Sequence, residues 1–391
     1  MSDKKRIYLD NAATTPVKKE VLDTMLPYFS QEFGNASSVY SFGRTARSEI
    51  EKAKATVSKT LNCSDREIYF TSGGTESDNW AIRGIATANA KKGKHIITST
   101  IEHHAVLHTV QAMEKEGWEV TYVPVDEDGI LKLDELKNAI REDTVLVTVM
   151  FANNEIGTIQ PISEIGAICK EKGVIFHTDA VQAVGHVKVD VKEMNIDLLS
   201  LSAHKFGGPK GVGALYVRKG LKINNLMFGG GQERGKRPTT YNHVGIIGLA
   251  KALELTCESM ETENAREIEM RDEFIETIMK EIPEVKLNGH RTKRLPNNVN
   301  LSFKYIEGES LLLSLDIIGI AASSGSACTS GSLDPSHVLL AIGLDHATAH
   351  GSLRLTLGEM NTMEDVNTTI EALKPIVDRL RNMSPLYKKG E

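Results

Sequence analysis

Three stretches of this chain place reactive side chains where an α/β protein binds ligands. Thr71-Ser72-Gly73-Gly74-Thr75-Glu76-Ser77 follows a β-patterned run and opens a helix. Its two glycines let the backbone approach an anion, and the helix start offers free N–H groups and the positive end of a dipole. The spacing fits neither the P-loop nor the dinucleotide fingerprint, so alone it reads equally as a plain turn with a threonine cap. Asp179 closes the run Val174 to Thr178, at the carboxyl end where open α/β sheets receive ligands; a capping carboxylate is the alternative. Lys205 stands between the buried-type run Leu198 to Ser202 and the glycine-rich Phe206-Gly207-Gly208-Pro209-Lys210-Gly211. Desolvation there favours a neutral amine, the form that condenses with an aldehyde, while a snorkelling lysine at a strand end is the bland reading.

Together these pieces supply what pyridoxal 5'-phosphate requires: an anchor for its phosphate, an acid that keeps its pyridine nitrogen protonated and a tether for its aldehyde. Cys328 is a second centre. From Ala321 to Ser332 every other side chain is Ala, Ser, Gly or Thr, so the stretch has little apolar bulk and a core cysteine is a poor reading. A thiol there reads as a candidate nucleophile. Asp334 and Pro335 read as cap and first turn of the helix through Val338, Leu339 and Ile342.

The elements that must position these residues follow from periodicity. Ala46, Ile50, Ala53, Val57 and Leu61 predict an amphipathic helix from Ser41 to Leu61. β-rich runs then alternate with helical stretches: Ile68 to Phe70, His95 to Thr98, Val120 to Val123, Val145 to Met150, Val174 to Thr178, Leu198 to Ser202 and Gly213 to Val217. Strands buried on both faces and joined by helices predict an α/β fold with a mostly parallel, seven-stranded sheet. Pro161 opens one crossover helix and Gly173 closes it. A long helix from Gly245 to Ile282 bridges to a different rhythm, with strands at Asn298 to Phe303 and Gly351 to Leu357 and a closing helix from Met363. The expected organisation is a large domain over 15–260 and a smaller α+β domain made of 1–14 and 261–391.

With 391 residues the chain is too long for one typical core. Its hydrophobic share of 40% and charged share of 25% are those of an ordinary globular protein. A net charge of -6 gives no reason to expect nucleic acid or an anionic membrane as the main partner. No apolar run approaches the ~20 residues that span a bilayer, and Met1 to Arg6 carry no apolar signal core, so the expected location is the cytoplasm. The 4 cysteines make no disulfide framework or zinc spacing. Cys169 and Cys257 fall on apolar helical faces and read as core, and Cys63 sits past a helix end.

Almost the whole chain resembles the class I cysteine desulfurases (NifS- and IscS-like), fold-type I pyridoxal-phosphate enzymes of the class V aminotransferase family. The matching stretches are Tyr8 to Thr15, Thr71 to Asn79, Glu102-His103-His104-Ala105-Val106, Asn153 to Gly157, Ser202-Ala203-His204-Lys205, Ser323 to Cys328 and His350 to Arg354. The resemblance implies that Lys205 tethers the cofactor and Asp179 pairs with its ring nitrogen. His103 stacks on the ring and moves protons, although on its own it reads more readily as a satisfied core histidine. Gln182 and Asn154 contact the ring, and Gly74, Thr75, Ser202 and His204 hold the phosphate, with Thr240 reaching in from the other subunit of a homodimer. Asn11, Asn154 and Arg354 bind L-cysteine, the guanidinium taking its carboxylate; a structural salt bridge is the alternative for Arg354. Cys328 receives the sulfur as a persulfide, and an iron–sulfur scaffold protein is the implied acceptor. No metal site is expected.

Two stretches depart from the family's pattern. Gly-Asn-Pro-Ser-Ser-x-His reads Gly34-Asn35-Ala36-Ser37-Ser38-Val39-Tyr40, and Arg-x-Gly-Thr-Glu-Asn reads Arg237-Pro238-Thr239-Thr240-Tyr241-Asn242, followed by His243. Thr239 replaces a glycine, a costly exchange wherever that position has positive φ. The competing functions are an aminotransferase or selenocysteine lyase on the same scaffold, and a cofactor-binding sulfur carrier with little turnover.

Overall fold

The computed structural model describes residues 5–324 and 335–387. All seven β-rich runs form one sheet, in the order Ile68–Thr71, Gly213–Val217, Leu198–Ser202, Ile175–Asp179, Thr144–Thr148, His95–Ser99, Glu119–Val123. Six strands point the same way, and Gly213–Val217 runs antiparallel to both neighbours.

Alternation along each strand builds a separate core on each face. Ile97, Val147, Phe176, Leu199 and Leu201 join one cluster, with Ala46 to Leu61 of the helix Ser41–Leu61 and Ile165 and Cys169 of Ile162–Lys172. Their neighbours Ile96, Leu146 and Leu198 face the other way, onto Trp80, Ile82 and Ile85 of Gly74–Ala88 and Val106, Val110 and Met113 of His104–Lys115. Cys169 is buried, and Cys257 packs half-buried against the first cluster.

A third core gathers Ile7 and Leu9 with Met270, Phe274, Leu301, Leu353, Leu373 and Val377. It lies on the antiparallel sheet of Val285–Leu287, Asn298–Phe303 and Ser352–Thr356, with Asn298–Phe303 central. The helix His243–Glu281 has one end in each assembly: Ile246, Leu249 and Leu253 in the first core, Phe274, Ile275 and Ile278 in the third. The arm Ile7–Tyr8 pairs in parallel with Ile320–Ala321, and Leu9 N donates to Ala321 O at 2.8 Å.

One local expectation is corrected. The helix His337–Ala341 is capped by Ser336, whose Oγ accepts from the N–H groups of Val338 and Leu339; Pro335 lies outside it. A hydroxyl one residue before the first turn reaches both free N–H groups, which residues farther back cannot. Among the described residues no helix is long and apolar enough to cross a membrane.

Candidate active site

The chemistry-bearing stretches meet at the carboxyl ends of the parallel strands. Asp179 ends its strand opposite Ser200 of the next, and the turn Ala203–Lys205 follows that strand directly. A Cβ on Gly74 would lie 2.6 Å from Val181 Cγ2 and 3.8 Å from Ser202 Cβ. The glycine turn is therefore pressed against the segments that carry Asp179 and Lys205, with no room for a side chain. Gly73 caps the helix Gly74–Ala88 with no side-chain bond. Thr75 is an exposed residue of the first turn, not the cap, and the opening N–H groups are left for an anion.

Asp179 is buried, and burial pushes its carboxyl up while the Val181 N–H at 3.0 Å and Lys205 pull it back. Asp78, fully buried on the neighbouring helix, is raised further, by burial and then by the charge of Asp179. The proton of this pair therefore sits on Asp78 and the negative charge on Asp179. His177 lies 3.7 Å from Asp78 Oδ1 and bonds Thr148 Oγ1 at 2.8 Å and Ser200 Oγ at 3.0 Å. Burial pushes His177 down to about 3, so it is neutral. Burial also raises Glu102 to about 8, against the bonds it accepts from Ser99 Oγ and Met150 N. Of these three buried acids, Asp179 alone is placed to carry charge.

Residues 10–15 close over the lysine. Lys205 Nζ donates to Ala12 O at 2.6 Å and Ala13 O at 2.8 Å, and Gln182 Nε2 donates to Ala12 O at 3.0 Å. His204 Nδ1 lies 3.1 Å from Thr14 Oγ1. His103 caps the helix His104–Lys115, its Nδ1 accepting from Ala105 N at 3.1 Å. The proton of the neutral ring is thereby assigned to Nε2. Burial, then the charges of Lys205, His337 and His108, push His103 down to about 4.

Arg354 is buried at 3% exposure in the strand Ser352–Thr356. It bonds Asp10 Oδ1 at 2.9 Å and Asn154 O at 3.0 Å, and its Nε has no partner. An orphaned guanidinium N–H beside Asn154 fits a ligand carboxylate. Asn11 turns its amide to Thr356 O at 2.9 Å and Asn361 Oδ1 at 3.4 Å. Thr240 is exposed. Cys328 and Asp334 lie outside the described residues. Thr239 has φ +142°, the left-handed side of the map that favours glycine.

Residues 7–368 match the protein family described as aminotransferase class-V. The chain belongs to that family. Over 386 residues it is 61% identical to a Clostridium botulinum protein called cysteine desulfurase IscS, covering 98% of this chain and 97% of that one. A protein of the same name from Methanosarcina thermophila is 60% identical over 388 residues, covering 99% and 96%. Among solved structures, one called a NifS-like protein superposes with a TM-score of 0.91 at 39% identity, covering 96% of this chain and all of the other. The structure of SspA in complex with cysteine gives 0.80 at 38% identity, covering 90% and 99%.

For the family's cofactor the donor set fits: a buried acid whose charge the Val181 N–H and Lys205 favour, a lysine one strand away and an uncapped glycine turn against Ser202. Asp10, Asp78, Glu102, His177 and Ser200 escaped the sequence reading. A signal existed for Asp78, an acid on the apolar face that carries Ala81, Ile82 and Ile85. His177 and Ser200 carried none, because both sit in strands whose partners are fixed only by sheet pairing.

Proposed function

We propose that this chain is a pyridoxal-phosphate-dependent cysteine desulfurase that converts L-cysteine to L-alanine and stores the sulfur as a persulfide on Cys328. The observation that carries the reading is the meeting of Asp179, Lys205 and the uncapped Gly73–Gly74 turn at one end of the sheet. The names of its full-length relatives give the substrate.

Gly74, Thr75, Ser202 and His204 hold the cofactor's phosphate, Asp179 its ring nitrogen, Gln182 and Asn154 its ring, and Lys205 its aldehyde. When bound, the cofactor supplies an electron sink that stabilises negative charge at the substrate Cα. Arg354 and Asn154, with Asn11, hold the substrate carboxylate. Lys205 Nζ moves the Cα proton, and His103 exchanges protons with the thiols through Nε2. The Cys328 thiolate attacks the substrate sulfur; the Cβ–S bond breaks and an S–S bond forms. The bond's electron pair stays with Cβ, which takes up the proton that the Cys328 thiol gave up, so cysteine and thiol become alanine and persulfide. The other thiols suit this job poorly, since burial pushes Cys63 and Cys169 up to about 12 and raises Cys257.

The assembly proposed is a homodimer in which Thr240 completes the partner's phosphate site; its exposure here supports that. The large domain is assigned to 15–260 and the small domain to 1–14 and 261–391. Delivery to an iron–sulfur scaffold in the cytoplasm follows, a location in keeping with the unpaired thiols of Cys63, Cys169 and Cys257. The test is to incubate cofactor-loaded protein with L-cysteine and a reductant and to measure alanine and sulfide. Equal amounts of both are expected. A thio-keto acid in place of alanine would mean transamination, and no product from loaded protein would mean a carrier without turnover.

A further inference from the structure

Behind the lysine, a cavity of about 340 Å³ opens between the first and third cores. Its walls include the segment Gly185-His186, the turn Lys205 to Gly207, the helix face Thr256 to Glu267 and Leu357 to Met360. The volume is that of a small-molecule site. Met260 and Met360 give it apolar surface, and acids mark one side.

Glu267 is only 5% exposed and lines this space, yet it makes no hydrogen bond or ion pair among the described residues. Every nearby cation is already engaged. Lys18 pairs with Glu359 at 2.8 Å, Lys19 with Asp23 at 2.7 Å and Arg266 with Glu263 at 2.8 Å. Lys205 Nζ donates to two carbonyls, and Asn264 Nδ2 donates to His186 O at 2.8 Å. His186, on the facing wall, is pushed down to about 4 by burial and is neutral. Among the described residues, Glu20 and Glu267 are the lining acids without an ion-pair partner. Burial first raises the Glu267 carboxyl to about 8; Arg266 and Lys18 lower it, while Glu263 and Glu359 raise it.

We propose that this cavity binds a small organic cation, a guanidinium or ammonium head on a short hydrocarbon body, with the head against Glu267 and the body on Met260 and Met360. A carboxyl buried without a donor is costly, and a ligand cation supplies both the hydrogen bonds and the charge it lacks. Such a ligand would touch residues of two cores and lie against the turn that carries Lys205.

The probe is n-butylguanidinium added to cofactor-loaded protein, because a guanidinium does not readily condense with an aldehyde as a primary amine does. Calorimetry in two buffers of different ionisation enthalpy measures both affinity and proton release. The expected Kd is on the order of 1 mM for so small a molecule. At pH 7 a carboxyl at about 8 is mostly protonated, so binding should release close to one proton per site, and almost none at pH 9.5. E267Q should weaken binding at least tenfold and abolish proton release, and n-butanol should bind at least tenfold more weakly than the cation. Binding without proton release in the wild type overturns the assignment without relying on any variant. So does equal affinity in E267Q or no binding at ~10 mM.

Discussion

At position 239 the usual ranking of alanine over glycine should invert. Thr239 holds φ +142°, a conformation costing a residue with a Cβ about 1–3 kcal/mol. Its side chain has two contacts: Oγ1 accepts from Arg237 Nη1 at 2.7 Å and donates to Thr240 O at 3.3 Å. Thr239→Ala and Thr239→Gly lose both contacts equally, so their difference isolates the backbone. Glycine's greater freedom in the unfolded chain costs about 0.5–1 kcal/mol relative to alanine. Relief of strain outweighs it, leaving Thr239→Gly more stable than Thr239→Ala by about 1 kcal/mol. Urea unfolding of the cofactor-loaded wild type and both variants, compared at constant m, gives the difference directly. If the alanine variant equals or exceeds the glycine variant, position 239 is not strained and the reasoning fails. The glycine variant should keep its cofactor, since Lys205, Asp179 and the Gly73–Gly74 turn are untouched.

Lys205→Ala should lose the cofactor's visible band near neutral pH together with sulfide release; retention of both would mean the tether is elsewhere. Cys328→Ser should still bind cofactor and L-cysteine yet accumulate no persulfide, and mass spectrometry of the wild type should find the extra sulfur on Cys328, not on Cys63, Cys169 or Cys257. Tyr241 Oη accepts the N–H of Glu233, a residue buried at 2% exposure. Tyr241→Phe should therefore cost about 1–2 kcal/mol in urea unfolding. Tyr241→Glu should cost more, because it adds a carboxyl beside Glu233, whose Oε1 already lacks a partner; a neutral outcome for both would refute the role of the phenol. Glu267 has a folded-state value raised to about 8 from 4.5, so its contribution is full below pH 4.5 and is lost as pH rises to 8. Between pH 6.5 and 8, Glu267→Gln should flatten the wild type's decline in stability by on the order of 1 kcal/mol; identical slopes would show that this carboxyl ionises freely.

Local patterns in the chain were sufficient for the strands of its main sheet and its longest helices. Apolar spacing near 3.6 delimits the helix Ser41–Leu61, and alternating or continuous apolar runs mark all seven strands of the main sheet, because side-chain direction within an element depends only on its own period. Lys205, Asp179 and the glycine turn were legible for a similar reason: each sits where one element ends, and ends are marked by neighbouring residue types. The antiparallel course of Gly213–Val217 was not legible, since direction belongs to a pairing and not to a strand. The cap at Ser336 depended on where the helix His337–Ala341 begins, which nearby Asp334 and Pro335 left ambiguous. The charge states were decided only by the tertiary structure. Asp78, His177, Ser200 and Thr148 come from one helix and three strands, and sheet pairing brings them beside Asp179. Whether a carboxyl there keeps its proton depends on desolvation and on charges a few ångströms away, and those distances exist only once the chain is folded.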